Sequence, residues 1–420
     1  MYQNLKQVEL FIENRRTLGI KPGLERMNRV LDLHGNPHQN VPFIHIAGTN
    51  GKGSTLSFIK GALTSNDYKV GIFTSPSLTG LAGHILINDD EISEEQFVTI
   101  FNQLLPTIKL LDAEDLYLTE FEIITAIALL FFRDNVDIAI IETGMGGRED
   151  STNCITPILS IITNVAMDHS HFLGESLEEI AFQKAGIIKQ SVPVVIGDIP
   201  EECLPIVYKE ANEKQSVIYQ LNKDFLCLGK SNAIDSQLIE WRHQKNHYQF
   251  EIMMQGKHQI ANIGLALMAL HLLKIKLDWD KVFVALNNVS IPGRFEKVKQ
   301  HPLIILDGAH NLDGMKALLN TVDDLYKTNR KVLIFAGFRD KELQKMLQIA
   351  IPVFDSVIIT TFSHPRAAHA EEIVDGIDSD NIIISDWRQA LENMNNQEAY
   401  FFAGSLHFIG TVRKYITDYR

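Results

Sequence analysis

The chain has 420 residues, more than one compact core of ordinary size holds, so two domains are expected. Hydrophobic residues make up 45% and charged residues 22%, values typical of globular rather than disordered proteins. The 52 acidic and 39 basic residues give a net charge of -13, which argues against general attraction to nucleic acid or an anionic membrane. Any anionic ligand must therefore be met by local donors.

The cysteines and the N-terminus indicate the cellular setting. Cys154, Cys203 and Cys227 are odd in number and lack C-x-x-C spacing, which favours a reduced cytosolic protein and implies no zinc site. The opening stretch "MYQNLKQVELFIENRR" carries charges throughout and lacks the apolar core of a signal peptide. No apolar run reaches the length of a membrane span. We expect a cytoplasmic protein.

The first part of the chain alternates buried-strand and helix patterns. "VPFIHIAG" reads as a strand, residues 54–63 as a helix and "YKVGIFTSP" as the next strand, which is the rhythm of a βαβ unit. Further segments repeat it: "EFEIITAIALLFFRDN" as a helix, then "VDIAIIETGMGG", "TPILSIITNVAMDH" and "VPVVIG" as strands. Strands that are apolar on both faces are typical of parallel sheets. The pattern predicts an α/β fold, with a mostly parallel and doubly wound sheet.

The second part begins after a short region of different character. Residues 215–255 predict small antiparallel strands, and "HQIANIGLALMALHLLKI" returns to a helix pattern. A Pro-Gly pair in "NNVSIPGRFE" marks a break. Helices then separate four further strands, "PLIILDGAHN", "KVLIFAGF", "DSVIITTF" and "EAYFFAGS". We place a domain boundary at about residue 290, giving domains of residues 1–290 and 291–420.

A glycine-rich loop lies between the first strand and the first helix of the βαβ unit. In "GTNGKGS" the glycines would let the chain wrap phosphates, Lys52 would supply a point charge, and Ser54 or Thr55 a hydroxyl for Mg²⁺. The usual phosphate loop has Ser or Thr directly after the lysine, whereas Gly53 stands there. The alternative is a glycine turn with an incidental lysine. The predicted nucleotide-binding loop comprises Gly48, Thr49, Asn50, Gly51, Lys52, Gly53, Ser54 and Thr55.

Acidic and imidazole side chains follow two later strands. Glu142 ends one strand, and Asp168 and His169 end another, at the carboxyl edge where ligands gather in open α/β sheets. A carboxylate and an imidazole there could hold Mg²⁺, which shares its remaining positions with phosphate and water. Alternatively, Glu142 caps a helix and His169 is a satisfied loop histidine. His171 is interpreted as structural.

Four more residues are interpreted from their own chemistry. Lys184 ends an otherwise apolar helix, where a solvated or snorkelling lysine is the default interpretation. Asp307 and His310 of "IILDGAHNLDG" repeat the pattern of a strand followed by a turn. Arg294 stands at the expected domain junction, where it could reach a triphosphate bound by the other domain or form an ordinary interdomain ion pair.

The motifs together resemble a known family. The segments "GTNGKGS", "TSP", "ETGMGGREDSTN", "MDHSHFLG", "IAFQKAGIIK", "GKHQIAN", "PGRFE", "LDGAHN" and "AGSLH" occur in order from near residue 48 to near residue 410. They look like the folylpolyglutamate synthase and dihydrofolate synthase family, within the wider group of Mur-type ATP-dependent amide ligases. The resemblance implies a P-loop ATPase domain followed by a smaller Rossmann-like domain. It also implies joining of L-glutamate to a reduced folate, or to dihydropteroate, through an acyl phosphate.

The resemblance also assigns roles by position. It implies that Lys52 grips the β and γ phosphates, that Ser75 and Glu142 hold one Mg²⁺, and that Glu142 and His169 approach a second. Lys184 matches a lysine that is carbamylated in the family. Ser405 matches a further candidate on the glutamate side. The implied catalytic residues are Lys52, Lys184, Asp307 and His310; the implied ATP contacts beyond the loop are Asn262, Arg294 and Asp307; the implied metal ligands are Ser54, Ser75, Glu142, His169 and Lys184.

The sequence departs from the family pattern after "TSP". Gly83 and His84 stand where the family has a Glu-Arg pair, in a loop that borders the pterin-bearing substrate. Smaller departures, none of them at a phosphate or metal ligand, are Gln183, Ile263, Ile291 and Leu312. Two other functions therefore stay open: the same ligase chemistry on a different carboxylate acceptor, and a nucleotide-binding regulator without catalysis. A monomer is expected.

Overall fold

The computed structural model describes residues 1–77 and 79–419, which form two compact units. The first unit contains Met1–Cys227, Trp241–Tyr248 and Ala261–Leu286. The second contains Leu228–Glu240, Gln249–Ile260 and Asn287–Arg420. A division at residue 290 stays a prediction, because two segments that precede it belong to the second unit.

The strands alternate with helices along the chain, as the apolar patterns predict. The strands are β1 (Phe43–Ala47), β2 (Val70–Phe73), β3 (Ile85–Ile87), β4 (Asp90–Glu91), β5 (Ile138–Glu142), β6 (Leu159–Asn164), β7 (Val194–Asp198), β8 (Ile218–Gln220), β9 (Leu226–Asn232), β10 (Gln237–His243), β11 (Asn246–Ile252), β12 (Glu296–Gln300), β13 (Leu303–Leu306), β14 (Arg330–Phe335), β15 (Ser356–Ile359), β16 (Ile382–Ile384) and β17 (Glu398–Ala403).

The helices vary in length from 4 to 20 residues. They are α1 (Leu5–Arg15), α2 (Glu25–Leu33), α3 (Lys52–Thr64), α4 (Glu94–Ala113), α5 (Glu120–Phe132), α6 (Ser170–Leu173), α7 (Leu177–Ala185), α8 (Leu204–Glu213), α9 (Lys257–Leu272), α10 (Trp279–Asn288), α11 (Leu312–Leu325), α12 (Leu343–Ala350), α13 (Ala370–Val374), α14 (Trp387–Glu392) and α15 (Leu406–Tyr419). None of the described helices is long and apolar enough to cross a membrane.

The large sheet of the first unit is mostly parallel. Its strand order is β4-β3-β2-β5-β1-β6-β7-β8. Strand β3 pairs antiparallel with both β2 and β4, and the other pairs are parallel. Strands β1, β2 and β5 are buried at every residue, which explains why their sequences are mostly apolar. This confirms the predicted α/β class. The prediction of antiparallel strands for residues 215–255 is wrong for β8, which extends the large sheet in parallel beside β7.

Helices α4 and α5 cover part of this sheet, and their starts are set by local chemistry. Ser93 caps α4 and Thr119 caps α5, each in a capping box with the third residue of its helix. Both helices bury apolar faces in one cluster that also contains Phe43 of β1 and Phe73 of β2. Burial of that surface stabilises the order of strands on which the site depends.

The sheet of the second unit has the order β12-β13-β17-β14-β15-β16. Strand β12 pairs antiparallel with β13, and the remaining pairs are parallel. Two apolar clusters line it, one with Phe335 and Phe401 and the other with Trp387 and Phe402. A second α/β sheet therefore follows the first, in agreement with the predicted Rossmann-like domain.

A buried histidine gives the first unit a characteristic response to acid. His45 of β1 is completely buried, and its Nε2 lies 2.9 Å from Thr152 Oγ1. That hydroxyl donates to Asp150, so it accepts from His45 Nε2–H. Burial lowers the pKa of His45 from 6.5 to about 3.

We expect His45 to contribute stability that is complete above pH 6.5 and is lost as the pH falls towards 3, because only the unfolded chain takes up the proton in that window. His45→Gln should therefore flatten the decrease of the free energy of unfolding between pH 6.5 and pH 4. Urea unfolding at a series of pH values measures it. The exposed His301→Gln is the control, and equal slopes for wild type and His45→Gln would contradict the expectation.

Candidate nucleotide and metal site

The glycine loop joins the end of β1 to the start of α3, as the sequence predicts. Gly51 precedes the helix with φ +84°, and a Cβ there would lie 2.3 Å from Asn262 Oδ1. A Cβ on Gly48 would lie 1.8 Å from Thr163 Oγ1. Side chains at these two positions would collide with neighbours, so glycine is required at both.

Hydrogen bonds tie this loop to the carboxyl end of β6. The backbone N–H of Asn50 donates to Asn164 Oδ1 at 2.8 Å, and that of Thr49 donates to the Asn164 carbonyl at 3.2 Å. Thr163 Oγ1 donates to the carbonyl of Asn50 at 2.6 Å, and Thr49 Oγ1 donates to that of Ala166 at 3.0 Å. These hydrogen bonds therefore hold the loop in shape. Sequence reasoning missed Thr163 and Asn164, whose only signal is their position after a buried strand.

Lys52 lies over the loop and faces a buried carboxylate. Its Nζ donates to the carbonyls of Gly48 at 3.0 Å and Thr49 at 3.3 Å. The same Nζ lies 3.8 Å from Glu142 Oε1. The two side chains are mostly buried, which strengthens their attraction relative to a surface pair. The ammonium is thereby held between two carbonyl oxygens of the loop and the Glu142 carboxylate.

Glu142 is held by the turn that follows β2. Thr74 Oγ1 donates to Glu142 Oε2 at 2.5 Å, and the backbone N–H of Ser75 lies 3.4 Å from the same oxygen. Residue 142 ends β5 opposite Ile46 in the parallel register, one residue before the end of β1. Glu142, Ser75 and Lys52 therefore meet at one edge of the sheet, as strand order requires. Thr74 is a second contact that sequence reasoning missed.

The first turn of α3 supplies buried hydroxyls beneath the loop. Ser54 and Thr55 are buried, and within the described residues Thr55 Oγ1 has no hydrogen-bond partner. An orphaned hydroxyl at a helix N-terminus fits an anionic ligand or its cation. The described residues contain no cluster of three or more His, Cys, Asp or Glu side chains that could hold a metal. Two of the predicted metal ligands, Glu142 and His169, are of these types. So few suit an ion whose remaining coordination positions are filled by phosphate and water.

Lys184 corrects one expectation from composition. The interpretation of Lys184 as solvated is wrong, because the residue is 2% exposed near the end of α7. Burial and, to a smaller extent, the positive charge of Lys52 together lower the pKa of Lys184 from 10.5 to about 7, against the opposing influence of Asp168 and Asp150. A large fraction of the amine is therefore neutral near pH 7. A neutral amine is nucleophilic, unlike an ammonium.

A buried aspartate fixes the glycine-rich turn after Glu142. Asp150 accepts hydrogen bonds from the backbone N–H of Met145 at 2.8 Å and of Thr152 at 3.0 Å, and from Thr152 Oγ1 at 2.5 Å. Burial raises the pKa of Asp150, and these donors oppose the rise. The sequence signal for this residue is an acid shortly after a glycine-rich turn.

His169 occupies an unusual backbone position beside α6. Its φ is +53°, and its backbone N–H donates to Asp168 Oδ1 at 2.8 Å. Its Nε2 lies 3.9 Å from Asp168 Oδ2, with the imidazole 42% exposed. The exposed ring is accessible to a ligand, and its metal role stays a prediction. His171 follows within α6.

The second unit assembles its own polar group at the end of β13. Asp307 is buried and accepts from the backbone N–H of Phe295 and of Ala309, both at 2.9 Å. Burial raises the pKa of Asp307, and the Arg294 charge is the largest influence that opposes the rise. His310 lies close by, with Nδ1 2.8 Å from the Gly308 carbonyl. The turn thus presents Arg294, Asp307 and His310 together.

Ser405 lies at the end of a different strand of the same sheet. It follows β17, is 2% exposed, and its Oγ accepts from the backbone N–H of His407 at 3.2 Å. The hydroxyl therefore caps the first turn of α15. Its suggested role towards glutamate stays a prediction.

Comparison with known proteins gives the family. Residues 46–270 match the Mur ligase middle domain, and residues 293–406 match the Mur ligase glutamate ligase domain. The dihydrofolate synthase/folylpolyglutamate synthase of Bacillus subtilis is 33% identical over 431 aligned positions, with 99% of both chains covered. The chain belongs to the folylpolyglutamate synthase/dihydrofolate synthase family. This confirms the family that the motifs resemble.

Solved structures of the family have the same fold. Escherichia coli FolC in complex with DHPP and ADP has a TM-score of 0.90 at 25% identity, covering 99% of this chain and 98% of that one. The bifunctional folylpolyglutamate synthase/dihydrofolate synthase of Yersinia pestis complexed with AMPPNP and Mn ion has a TM-score of 0.88 at 26% identity, with the same coverage. The middle-domain match begins within β1 and includes the glycine loop. The glutamate ligase match includes the turn around Asp307.

We expect Gly51→Ala to weaken ADP binding at least about tenfold, because the new Cβ must displace Asn262 and the φ of +84° disfavours alanine. Isothermal titration of ADP measures the change. Gly35→Ala is the matched control, since Gly35 has a φ of +72° with no atom within 4 Å of an added Cβ. The control should lose about 1 kcal/mol of stability and keep its ADP affinity. Equal ADP affinity in both variants would contradict the packing argument.

Proposed function

We propose that this protein is a Mg-ATP-dependent amide ligase that adds L-glutamate to a reduced folate, with dihydropteroate as a further candidate acceptor. The observation that carries the proposal is the pairing of Lys52 with buried Glu142, 3.8 Å apart, beside a glycine loop that tolerates no Cβ at Gly51. Membership of the folylpolyglutamate synthase/dihydrofolate synthase family supplies the reaction class.

The proposed reaction has two steps that need cations at fixed positions. A carboxylate oxygen of the acceptor attacks the γ-phosphorus of ATP, ADP leaves, and an acyl phosphate forms. The amine of glutamate then attacks the acyl carbon, loses a proton, and inorganic phosphate leaves as the amide bond forms. Negative charge is spread over phosphoryl oxygens in the first step. Lys52 is proposed to stabilise it from its place above the loop.

A divalent cation fits the residues beside Lys52. Glu142, Ser54 and Ser75 supply hard oxygen atoms, and His169 an imidazole, which we propose as ligands of one or two Mg²⁺ ions. When bound, such an ion would neutralise phosphate charge and orient the phosphoryl groups. The Glu142 carboxylate is already oriented by Thr74 and Lys52 in the described structure.

Lys184 is proposed to be carbamylated. A carbamate forms when a neutral amine attacks the carbon of CO₂ and releases one proton, which turns the neutral amine into an anion. A pKa near 7 keeps much of the amine of Lys184 neutral at physiological pH. The anion would suit a position near Lys52, whose charge now disfavours an ammonium at residue 184.

Other residues are proposed for the nucleotide and for glutamate. Asn262, which contacts Gly51, and Arg294 are proposed as ATP contacts. Asp307 and His310 are proposed to act near the nucleotide and the incoming glutamate, with Ser405 on the glutamate side. A cytoplasmic, monomeric protein divided near residue 290 stays our prediction.

A second candidate keeps the same chemistry on another carboxylate acceptor. It is favoured by Gly83 and His84, which replace the Glu-Arg pair in the loop that borders the pterin. Release of ADP with other carboxylates, and none with tetrahydrofolate or dihydropteroate, would favour this alternative.

We expect release of ADP and phosphate only when a folate acceptor and glutamate are both present. Tetrahydrofolate and dihydropteroate are assayed in parallel, with each substrate omitted in turn. Lys52→Ala should lower kcat about 10²-fold or more, because a prearranged cation is lost from the developing charge. The exposed Lys345→Ala, in the second unit, is the control and should keep wild-type rates. An unchanged kcat in Lys52→Ala would remove Lys52 from catalysis. No ADP release by the wild type, with an unchanged biological effect of Lys52→Ala, would support a catalytically inactive regulator instead.

We expect Lys184→Ala to lose activity and to regain part of it with added acetate or formate, because a short carboxylate can replace the carbamate. Rates of ADP release are measured against carboxylate concentration. Chloride at the same ionic strength is the control. A fully active variant without additives would exclude the role of Lys184.

A further inference from the structure

The loop between β2 and β3 is closed by one histidine. His84 Nδ1 lies 2.7 Å from the carbonyl oxygen of Thr74, and the backbone N–H of Thr74 donates to the carbonyl of His84 at 3.1 Å. A carbonyl only accepts, so the imidazole donates from Nδ1. Two bonds in opposite directions thus join the two ends of the loop.

Gly83, the residue before His84, leaves room for polar side chains of the loop. A Cβ on Gly83 would lie 2.0 Å from Thr79 Oγ1 and 2.4 Å from Ser77 Oγ. Those hydroxyls belong to a polar cluster in which Thr79 Oγ1 donates to Glu91 Oε1 at 2.5 Å. A glutamate at position 83 would therefore displace this cluster. Glycine and histidine act together: the first leaves room for the polar side chains, and the second fixes where the loop begins.

The residue that His84 fixes is itself bonded to Glu142. Thr74 Oγ1 donates to Glu142 Oε2 at 2.5 Å, and Ser75 N–H approaches the same oxygen at 3.4 Å. His84 therefore acts on the Thr74 backbone, and the Thr74 side chain acts on the carboxylate. The chain of contacts is short and continuous, from imidazole to carbonyl and from hydroxyl to carboxylate oxygen.

We propose that His84 is a positioning residue, which holds the Thr74 turn so that Glu142 presents its carboxylate to the divalent cation. This inference rests on the proposed function, in which Glu142 is a metal ligand. Gly83 and His84 both contribute to this loop conformation.

The test is a direct measurement of Mn²⁺ binding in the presence of a non-hydrolysable ATP analogue, with electron paramagnetic resonance as the detection method. His84→Leu removes the donor, and His84→Asn keeps an amide N–H near the place of Nδ1. We expect His84→Leu to weaken Mn²⁺ binding about tenfold, the effect of about one lost hydrogen bond, and His84→Asn to remain within about threefold of wild type. The Mg²⁺ concentration for half-maximal ADP release should shift in parallel, while the KM for glutamate stays unchanged.

Two further comparisons isolate the effect. His34→Leu removes another half-buried imidazole that bonds a threonine, with Nε2 2.9 Å from Thr107 Oγ1. It should cost stability and leave Mn²⁺ affinity unchanged. Thr74→Val should weaken Mn²⁺ binding as His84→Leu does, whereas Thr74→Ser keeps the hydroxyl and should bind normally. If His84→Leu does not fold, Thr74→Val still tests the inference, because His84 is argued to act on Glu142 through Thr74. Wild-type Mn²⁺ binding in Thr74→Val would overturn it.

Glu142→Gln separates the failure of this inference from the failure of the proposed function. Loss of Mn²⁺ binding in Glu142→Gln, with wild-type binding in His84→Leu, would overturn the positioning role and leave the ligase assignment intact. Wild-type binding in Glu142→Gln would remove Glu142 from the metal site, and the inference would fall with it. Equal weakening by His84→Leu and His34→Leu would also overturn it, because the effect would then reflect general stability.

Discussion

The attachment of the glycine loop to the end of β6 is the constraint on which the site depends. Asn164 accepts hydrogen bonds from two backbone N–H groups of the loop, and the Thr163 hydroxyl donates to the carbonyl of Asn50. These bonds orient the loop before a ligand arrives, so the cost of ordering it is met during folding. Parallel strands make this possible because their carboxyl ends meet at one edge. Glu142 arrives at that edge through the same geometry.

The charges at this edge are arranged to favour an anionic ligand in an acidic protein. Lys52 is held by carbonyl oxygens of the loop and by Glu142. Burial, and then repulsion from the Lys52 ammonium, lower the pKa of Lys184. This effect arises from the position of Lys184 in the fold, which its residue type alone does not indicate.

The sequence predicts the fold well because its strands are short, apolar and separated by clear helix patterns. The glycine loop is also local, so Lys52 and its neighbours could be placed from spacing alone. The burial of Lys184 could not, because one lysine at the end of an apolar helix reads the same whether another element covers it or water does. Thr74 and Asn164 act across the sheet, between residues separated by 68 and 114 positions. Those contacts exist only once strand order is known.

The contact between Gly51 and Asn262 has a consequence for the synthesis of the chain. The loop is made early, yet the amide that packs against it lies more than two hundred residues later, in a segment that returns to the first unit after an excursion into the second. Domains fold as units while the ribosome is still working, at about 5–20 residues per second. The glycine loop of a nascent chain must therefore wait roughly ten seconds or more for this contact, and the first unit is incomplete until then.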